Sequence, residues 1–480
     1  MNVTNVVWFR NDLRTIDNKA LHEACKNPNS RVICLYIATP EQWKQHNISP
    51  RQATFIHQNL YYLAHNLTKK NIPLFYHQCT NFAAIAQWIL LFCIKHKAIN
   101  LFYNKQYALN ERRRDDMVTQ SLIGVCKVQS FDDALLLPPG SVLNNHGEMY
   151  KVFSLFRKVF LQTLNHTDTC SLPSPKKRNQ ISNVIRIQPF DYPRQQLDCK
   201  LFPAGESAAL EKLHIFCCER VALYAKQRDI PSINGTSILS PYLTIGVLSP
   251  RQCLNELLNK YPKALNLNKD SGAFIWFNEL IWREFYYHLL MAYPKICCNQ
   301  SFIDWTDNIC WHNQKEHLIA WQEGKTGYPI IDAAMRQLNY IGWMHNRLRM
   351  ITASFLVKDL LINWRLGEHY FMSKLLDGDL AANNGGWQWA ASSGTDAVPY
   401  FRIFNPITQG KRFDKNGTFI RRWLPELANV PDKNIHQPYQ WAIKENTVLN
   451  YPYPIIDHTI ARRQTIQVFK QAKINITFKK

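Results

Sequence analysis

Asp377, Asp379, Asn383 and Asn384 fall within eight residues, followed closely by Gly385, Gly386, Trp387 and Trp389. Short carboxylates and amides need partners once buried, and glycines let the backbone approach something flat or bulky. The chemistry such a set can do is to hold a planar, hydrogen-bonding ring beside aromatic surface. A structural polar corner between two helices is the rival reading, since buried networks also serve packing. A calcium loop is excluded: Asp377-x-Asp379 opens like an EF-hand, but Ala381, Ala382 and Gln388 stand at its fifth, sixth and twelfth positions.

A second set lies in 278–285, where Glu279, Trp282 and Arg283 share a helical face. A carboxyl beside an indole can hold a raised pKa and hydrogen-bond a flat ligand; a weak surface Glu–Arg pair is the alternative. In 344–350, Asn346, Arg349 and Met350 share one side of a helix, with His345 more readily structural than catalytic. Thr236, Ser237 and Ser240 supply hydroxyls ahead of Pro241, a composition suited to an anion at a helix N-terminus, although ordinary N-caps read the same way. Glu323 to Gly327 resembles the end of a P-loop, but Ile319 replaces the required glycine and no strand precedes it. No H-E-x-x-H and no G-x-S-x-G occurs, so metal and serine hydrolysis lack their residues; no metal site is expected.

The elements that must position these groups fall into two textures. Apolar or β-branched runs at 5–9, 32–37, 73–76, 99–103 and 125–130 alternate with helical patterns at 52–69, 83–96 and 109–123. That alternation predicts a doubly wound parallel sheet, whose ligands bind beyond the strand carboxyl ends. No G-x-G-x-x-G follows the first strand. A connector with a helix at 150–164 and proline-rich stretches runs to about residue 204. Helical patterns then dominate, at 206–226, 250–259, 273–291, 330–340, 343–361 and 365–376. The predicted fold class is α/β plus all-α, divided as 1–135, 136–204 and 205–480.

At 480 residues the chain can hold two or more packed domains. Lys and Arg number 57 against 36 Asp and Glu, and the resulting +21 favours a polyanionic partner, nucleic acid first. Fourteen tryptophans and twenty-one tyrosines add stacking surface for bases or a ring cofactor. No apolar run is long enough for a membrane and no signal-like start is present. That absence predicts a cytoplasmic location; the thirteen cysteines include no C-x-x-C, against a zinc ribbon or thioredoxin chemistry, and their odd number without a signal predicts reduced thiols.

Trp8 to Arg14, Thr236 to Ser240, Trp282 to Phe285 and Asp377 to Trp389, in this order, resemble the photolyase/cryptochrome family. Within it the chain is most similar to bacterial class I cyclobutane pyrimidine dimer DNA photolyases of the folate-antenna type. The resemblance implies a Rossmann-like antenna domain (1–135), a linker (136–204) and a helical domain (205–480) that binds reduced FAD and DNA. It implies a light-driven lyase in which excited flavin passes an electron to a flipped-out dimer, in double- or single-stranded DNA, and a monomer with no membrane partner. A damaged, weakly stacked dimer is cheaper to extrude than an intact base. A cryptochrome-like photoreceptor and a plain nucleic-acid binder are the other classes open to the sequence.

Carried over position by position, Tyr224, Thr236, Ser237, Leu239 and Ser240 match contacts to the FAD phosphates, and Trp276 a flavin-pocket residue. Arg349 and Asp377 match an ion pair beside the flavin ring, Asp379 a contact near N3, and Asn383 the residue facing N5. Glu279 matches the group that hydrogen-bonds the dimer, and Trp282, Asn346, Met350 and Trp389 the walls around it. Trp387, Trp364 and Trp311 match an electron-hopping chain to the surface. Arg228, Arg347 and Arg402 match DNA-phosphate contacts. Asn383 separates the chain from plant and animal cryptochromes, which resemble Asp and Cys there. Asn346 and Met350 stand where (6-4) photolyases carry two histidines. Asn110, Glu111 and Cys297 match the pocket of a 5,10-methenyltetrahydrofolate antenna, while Cys298 replaces a lysine of that branch.

Overall fold

The computed structural model describes residues 3–180, 187–265 and 271–477. The five apolar runs become β1 (Thr4–Phe9), β2 (Arg31–Ala38), β3 (Leu74–Gln78), β4 (Ala98–Asn104) and β5 (Lys127–Phe131), each within two residues of its expected start. They form one all-parallel sheet in the order β3-β2-β1-β4-β5. β1 and β2 are buried almost throughout, as strands covered on both faces must be. Helices α1 (Lys19–Cys25), α2 (Pro40–Gln45), α3 (Pro50–Lys69), α4 (Phe82–Lys95) and α5 (Leu109–Ser121) alternate with the strands. The connector carries α6 (Phe153–Leu164), and its residues 181–186 lie outside the described residues.

The helical half comprises α7 (Glu206–Ile215), α8 (Tyr224–Gln227), α9 (Ser240–Thr244), α10 (Pro250–Lys260), α11 (Gly272–Ala292), α12 (Lys315–Glu323), α13 (Pro329–Ile341), α14 (Asn346–Ser354) and α15 (Trp364–Lys374). It continues through α16 (Leu380–Ala391), α17 (Pro406–Phe413), α18 (Thr418–Trp423), α19 (Pro438–Lys444) and α20 (His458–Thr477). The helix expected over 206–226 is broken by a π-helical turn, Phe216–Arg220. The start of α11 presses on the carbonyls that follow: a Cβ on Gly272 would stand 2.1 Å from Val221 O. The helix expected over 343–361 starts only at Asn346, after Gly342 has ended α13 in a left-handed conformation (φ 73°), and turns π-helical over Phe355–Asp359. α16, whose glycines hide its helical propensity, is absent from the predicted helices.

The chain divides into two compact units: Met1–Ala222, Ser237–Pro294 and Leu376–Asp379 in the first, and Leu223–Thr236, Lys295–Leu375 and Leu380–Lys480 in the second. These cuts differ from the expected 135 and 204 boundaries. The physical reason is a set of polar ties that bind α10 and α11 to the sheet-bearing part. Arg251 of α10 pairs with Asp17 (3.0 Å) and with Asp133. Arg14 pairs with Asp133 as well, and all four groups are almost wholly buried. Arg283 of α11 donates to Ala134 O (2.8 Å), and Glu284 accepts from the N–H groups of Leu136 (3.0 Å) and Leu137 (3.4 Å). Burial raises the Glu284 carboxyl to about 7.

The parallel sheet reverses its winding between β1 and β4, the place where such sheets usually admit a ligand. Here the chain's own charges fill it. Arg10 lies over the Trp8 and Tyr103 rings (4.3 and 4.5 Å), pairs with Asp115 (3.1 Å) and donates to Asn104 O. Asn104 in turn donates to Asp12 (2.8 Å). The Trp8 to Arg14 motif is thus accounted for as a buried structural network.

Candidate functional site

In the first unit, α11 carries three of the expected residues on one face. Ser271 caps its start by accepting from Phe274 N (3.2 Å). Trp276 is buried against Phe216, and Glu279 and Trp282 follow at successive three-residue steps, both half-buried. Trp282 stacks flat on Phe153 of α6, with centroids 3.5 Å apart and planes at 7°. Its one face is therefore held by the unit's own helix, which fixes the ring for contact on the other.

The segment Leu376–Asp379 is pinned from three sides. Ser240 Oγ donates to Asp377 Oδ2 (2.5 Å), Gln52 of α3 donates to Gly378 O (2.8 Å), and Tyr287 of α11 donates to Asp379. Gln52 and Tyr287 escaped sequence reasoning because their partners are hundreds of residues or several helices away. Leu239 is buried, Ser237 is half-buried, and Ile238 between them has φ 52°. A β-branched residue in the left-handed region is strained, a state that clusters at ligand-binding turns. Helix α9 spans only five residues, and the Ser240 hydroxyl is engaged with the Asp377 carboxylate. Also in this unit, Asn110 contacts His46 Nε2 (3.1 Å), Glu111 lies 3.5 Å from His46 Nδ1, and Gln42 reaches the same ring (3.0 Å). The other Glu111 oxygen is buried without a partner. His46 and Gln42 complete a small polar cluster that only tertiary structure reveals.

In the second unit, Trp364 and Trp387 lie in one buried core, and the half-buried Trp311 packs against it. Gly367 makes this packing possible: a Cβ there would stand 2.1 Å from Trp387 Cη2 and 2.6 Å from Leu356 Cδ2. Gly367→Ala is expected to destabilise the chain by about 1–3 kcal/mol through overpacking, read by denaturant unfolding. An unchanged midpoint would mean that Trp387 has room to swing aside. Trp321, unremarked in the sequence, adds a fully buried indole 6.0 Å from Trp387.

Asn383 of α16 donates to Glu368 O (3.0 Å). The Glu368 side chain is buried, and that burial lifts its carboxyl to about 7 against the opposing hydrogen bond from Asn383. One turn beyond Asn383, Gly386 is exposed, and a Cβ there would meet nothing within 4 Å. Trp389 is half-buried near Phe404 (6.5 Å).

Arg347 forms a two-pronged pair with Asp229 (2.9 and 3.0 Å) and lies over the Phe413 ring (4.6 Å). Arg228 covers Tyr224, which is buried, at 5.4 Å. Asp229, missed in the sequence, sets the orientation of Arg347. Asn346 is exposed, Met350 Sδ accepts from Arg347 (3.6 Å), Arg349 donates to Met344 O (2.8 Å), and Arg402 is exposed. Burial drives His345 down to about 4, so it is neutral at pH 7 and serves as the cap of α14. Thr236 and Cys297 are half-buried, and Cys298 is exposed. Among the described residues no group of His, Cys, Asp and Glu could hold a metal ion.

Within the second unit, the buried Glu368 carboxyl, the Asn383 amide and the core tryptophans Trp364 and Trp387 bring polar hydrogen-bonding groups and large aromatic surface into one unit. Residues 5–176 match the family described as DNA photolyase, and residues 276–471 match the FAD binding domain of DNA photolyase. The deoxyribodipyrimidine photo-lyase of Escherichia coli is 53% identical over 474 residues, which cover 98% of this chain and 99% of that one. A solved bacterial class III photolyase from Agrobacterium tumefaciens superposes with a TM-score of 0.84 at 33% identity, covering 98% of each chain. A Synechocystis cryptochrome gives 0.85 at 27% identity, covering 98% of this chain and 100% of that one.

Proposed function

The chain belongs to the DNA photolyase family, and we propose that its reaction is the light-driven splitting of cyclobutane pyrimidine dimers in DNA. The observation that carries this is the likeness along nearly the whole chain to an enzyme of that name, with 53% of residues identical. It is a carbon–carbon lyase, it binds FAD, and its substrate is DNA. When bound, reduced FAD supplies the photoexcited electron that opens the cyclobutane ring.

The chain's own residues take the following parts. Glu279 hydrogen-bonds the dimer and steadies the excess negative charge placed on it, while Trp282, Asn346, Met350 and Trp389 wall the lesion from water. Phe153 keeps the Trp282 plane still. Asn383 would offer its amide to the flavin ring near N5, while the Glu368 carbonyl takes one of its N–H groups. Arg349, Asp377 and Asp379 serve the ring edge, Trp276 packs on the flavin, and Tyr224, Thr236, Ser237, Leu239 and Ser240 serve the phosphates. Trp311, Trp364 and Trp387 relay electrons inward when oxidised flavin is photoreduced. Arg228, Arg347 and Arg402 engage DNA phosphates. Asp229 holds Arg347 in place for that contact.

Asn110, Glu111 and Cys297 serve a methenyltetrahydrofolate antenna. Support for it is the His46-centred cluster, with its partnerless Glu111 oxygen available to a donor on the ligand. We place the enzyme in the cytoplasm as a monomer. No helix among the described residues is long and apolar enough to cross a membrane.

The test is repair of ultraviolet-irradiated oligothymidine by the purified, reduced protein under a near-ultraviolet lamp, against a dark control. Dimer loss only in the light is expected, together with a flavin absorption spectrum and an added near-ultraviolet antenna band. A flavin-bound protein that leaves dimers intact under illumination would overturn the reading in favour of a photoreceptor.

A further inference from the structure

His214, Cys218 and Glu256 meet at the surface of the first unit. His214 stands near the end of α7, Cys218 follows four residues later in the π-helical turn Phe216–Arg220, and Glu256 belongs to α10. The backbone under them is anchored. Leu213, Phe216 and Cys217 are buried beside the first two residues, Cys253 and Leu257 beside the third, and α10 packs against both α7 and the turn.

The Glu256 carboxylate lies 2.7 Å from His214 Nδ1. A carboxylate only accepts, so Nδ1 carries a proton, and Nε2 is left as the acceptor of the neutral ring. Cys218 Sγ lies 3.6 Å from Nε2 and 4.0 Å from Nδ1, so the thiol donates to Nε2. A nucleophile, a base within its reach and a third group that orients the base make up the arrangement that activates a cysteine. Among the described residues no group of His, Cys, Asp and Glu could hold a metal ion, which sets aside a metal reading of these three. The His214 side chain is 65% exposed and Cys218 is half-buried, so the sulfur can be approached from solution beside its base. Single π-helical turns recur at functional sites, and this one carries the thiol.

We propose that Cys218 is a reversible thiolation site for small-molecule disulfides of the glutathione class, with His214 as its base and Glu256 as the residue that positions the base. His214 Nε2 takes the thiol proton, and the Cys218 sulfur attacks one sulfur of the disulfide. A bond forms between those two sulfurs, the original disulfide bond breaks, and the expelled thiolate takes the proton back from His214. The Cys218 sulfur is oxidised and the leaving sulfur is reduced to a thiol, so the disulfide is the oxidant. An excess of free thiol drives the same exchange backwards. The inference is independent of flavin and of repair.

The experiment incubates the full chain with oxidised glutathione near neutral pH. Samples are quenched in acid at intervals, and the adducts are mapped by peptide mass spectrometry. Cys170, Cys199, Cys298 and Cys310 are exposed, so exposure alone would have them react before the half-buried Cys218. Cys218 is expected to react first, about tenfold faster than any of those four, and dithiothreitol is expected to remove the adduct. His214→Ala should bring the Cys218 rate down to that of the four controls or below it, and Glu256→Gln should lower it by less. Wild-type Cys218 reacting no faster than the exposed cysteines would overturn the proposal. So would an unchanged Cys218 rate in His214→Ala. The wild-type order of reaction decides the matter even if a variant folds poorly.

Discussion

Glu279→Ala is expected to lower dimer repair per absorbed photon by about tenfold, while the affinity for dimer-containing DNA changes little. Glu279 sits one turn from Trp276 and one from Trp282 on a helix whose start is capped and whose flank is stacked on Phe153. A side chain so placed is held before the substrate arrives. A hydrogen bond to a charged group is worth about 1.5–3 kcal/mol, and about 1.4 kcal/mol is a factor of ten. Its benefit grows when the dimer carries extra negative charge, so the loss should fall on turnover rather than on binding. Binding itself draws on the phosphate contacts and the aromatic walls, which the substitution leaves in place. Glu279→Gln, which can still donate from its amide, should restore part of the yield. Repair at the wild-type yield by the alanine variant would take Glu279 out of the reaction. A large loss of DNA affinity with unchanged yield would make it a binding residue only.

Asp133→Ala is expected to cost about 3 kcal/mol of stability or more. Asp133 has no exposure and pairs with Arg14 and Arg251, which are themselves buried. Removing it takes away the carboxylate of Arg14 and leaves Arg251 with the Asp17 carboxylate alone, where water cannot reach, and loss of one partner in a buried pair costs about 3–5 kcal/mol. Burial opposes the Asp133 charge, but the two arginines outweigh it and hold the carboxyl below its ordinary value of 3.8. A carboxylate with a depressed folded pKa adds stability above the unfolded value, and that stability is lost as pH falls through the folded value. The gap between wild type and variant should therefore be full at pH 5–7 and close well below pH 4. Urea unfolding monitored by tryptophan fluorescence at several pH values measures it. A gap under about 1 kcal/mol at pH 7 would mean that the remaining partners of Arg14 and Arg251, Asp17 first among them, suffice to hold both charges.

Both predictions concern residues whose roles were unequally visible in the sequence. Glu279 was visible because a helix repeats every three to four residues, so a carboxyl three positions before Trp282 must share its face. Asp133 was not singled out. It stands in a turn region, and its partners lie more than a hundred residues away on either side. The same holds for Tyr287 on Asp379, Gln52 on Gly378, Asp229 on Arg347 and His46 beside Glu111. These are contacts between elements, and no local pattern encodes them.

By itself the sequence determined the alternation of strand and helix, the parallel sheet, the helical half and the order of the family's motifs. Each follows from periodicity or from residue identity, which are properties of neighbours in the chain. Only the tertiary structure decided where the compact units divide, because α10 and α11 are drawn to the sheet-bearing unit by buried ion pairs and hydrogen bonds. It also decided that the sheet's usual crevice is closed by Arg10, Asp12 and Asn104. The physical reason is the same throughout. A buried charge is settled by what folding places against it, and that partner is chosen by packing rather than by position in the chain.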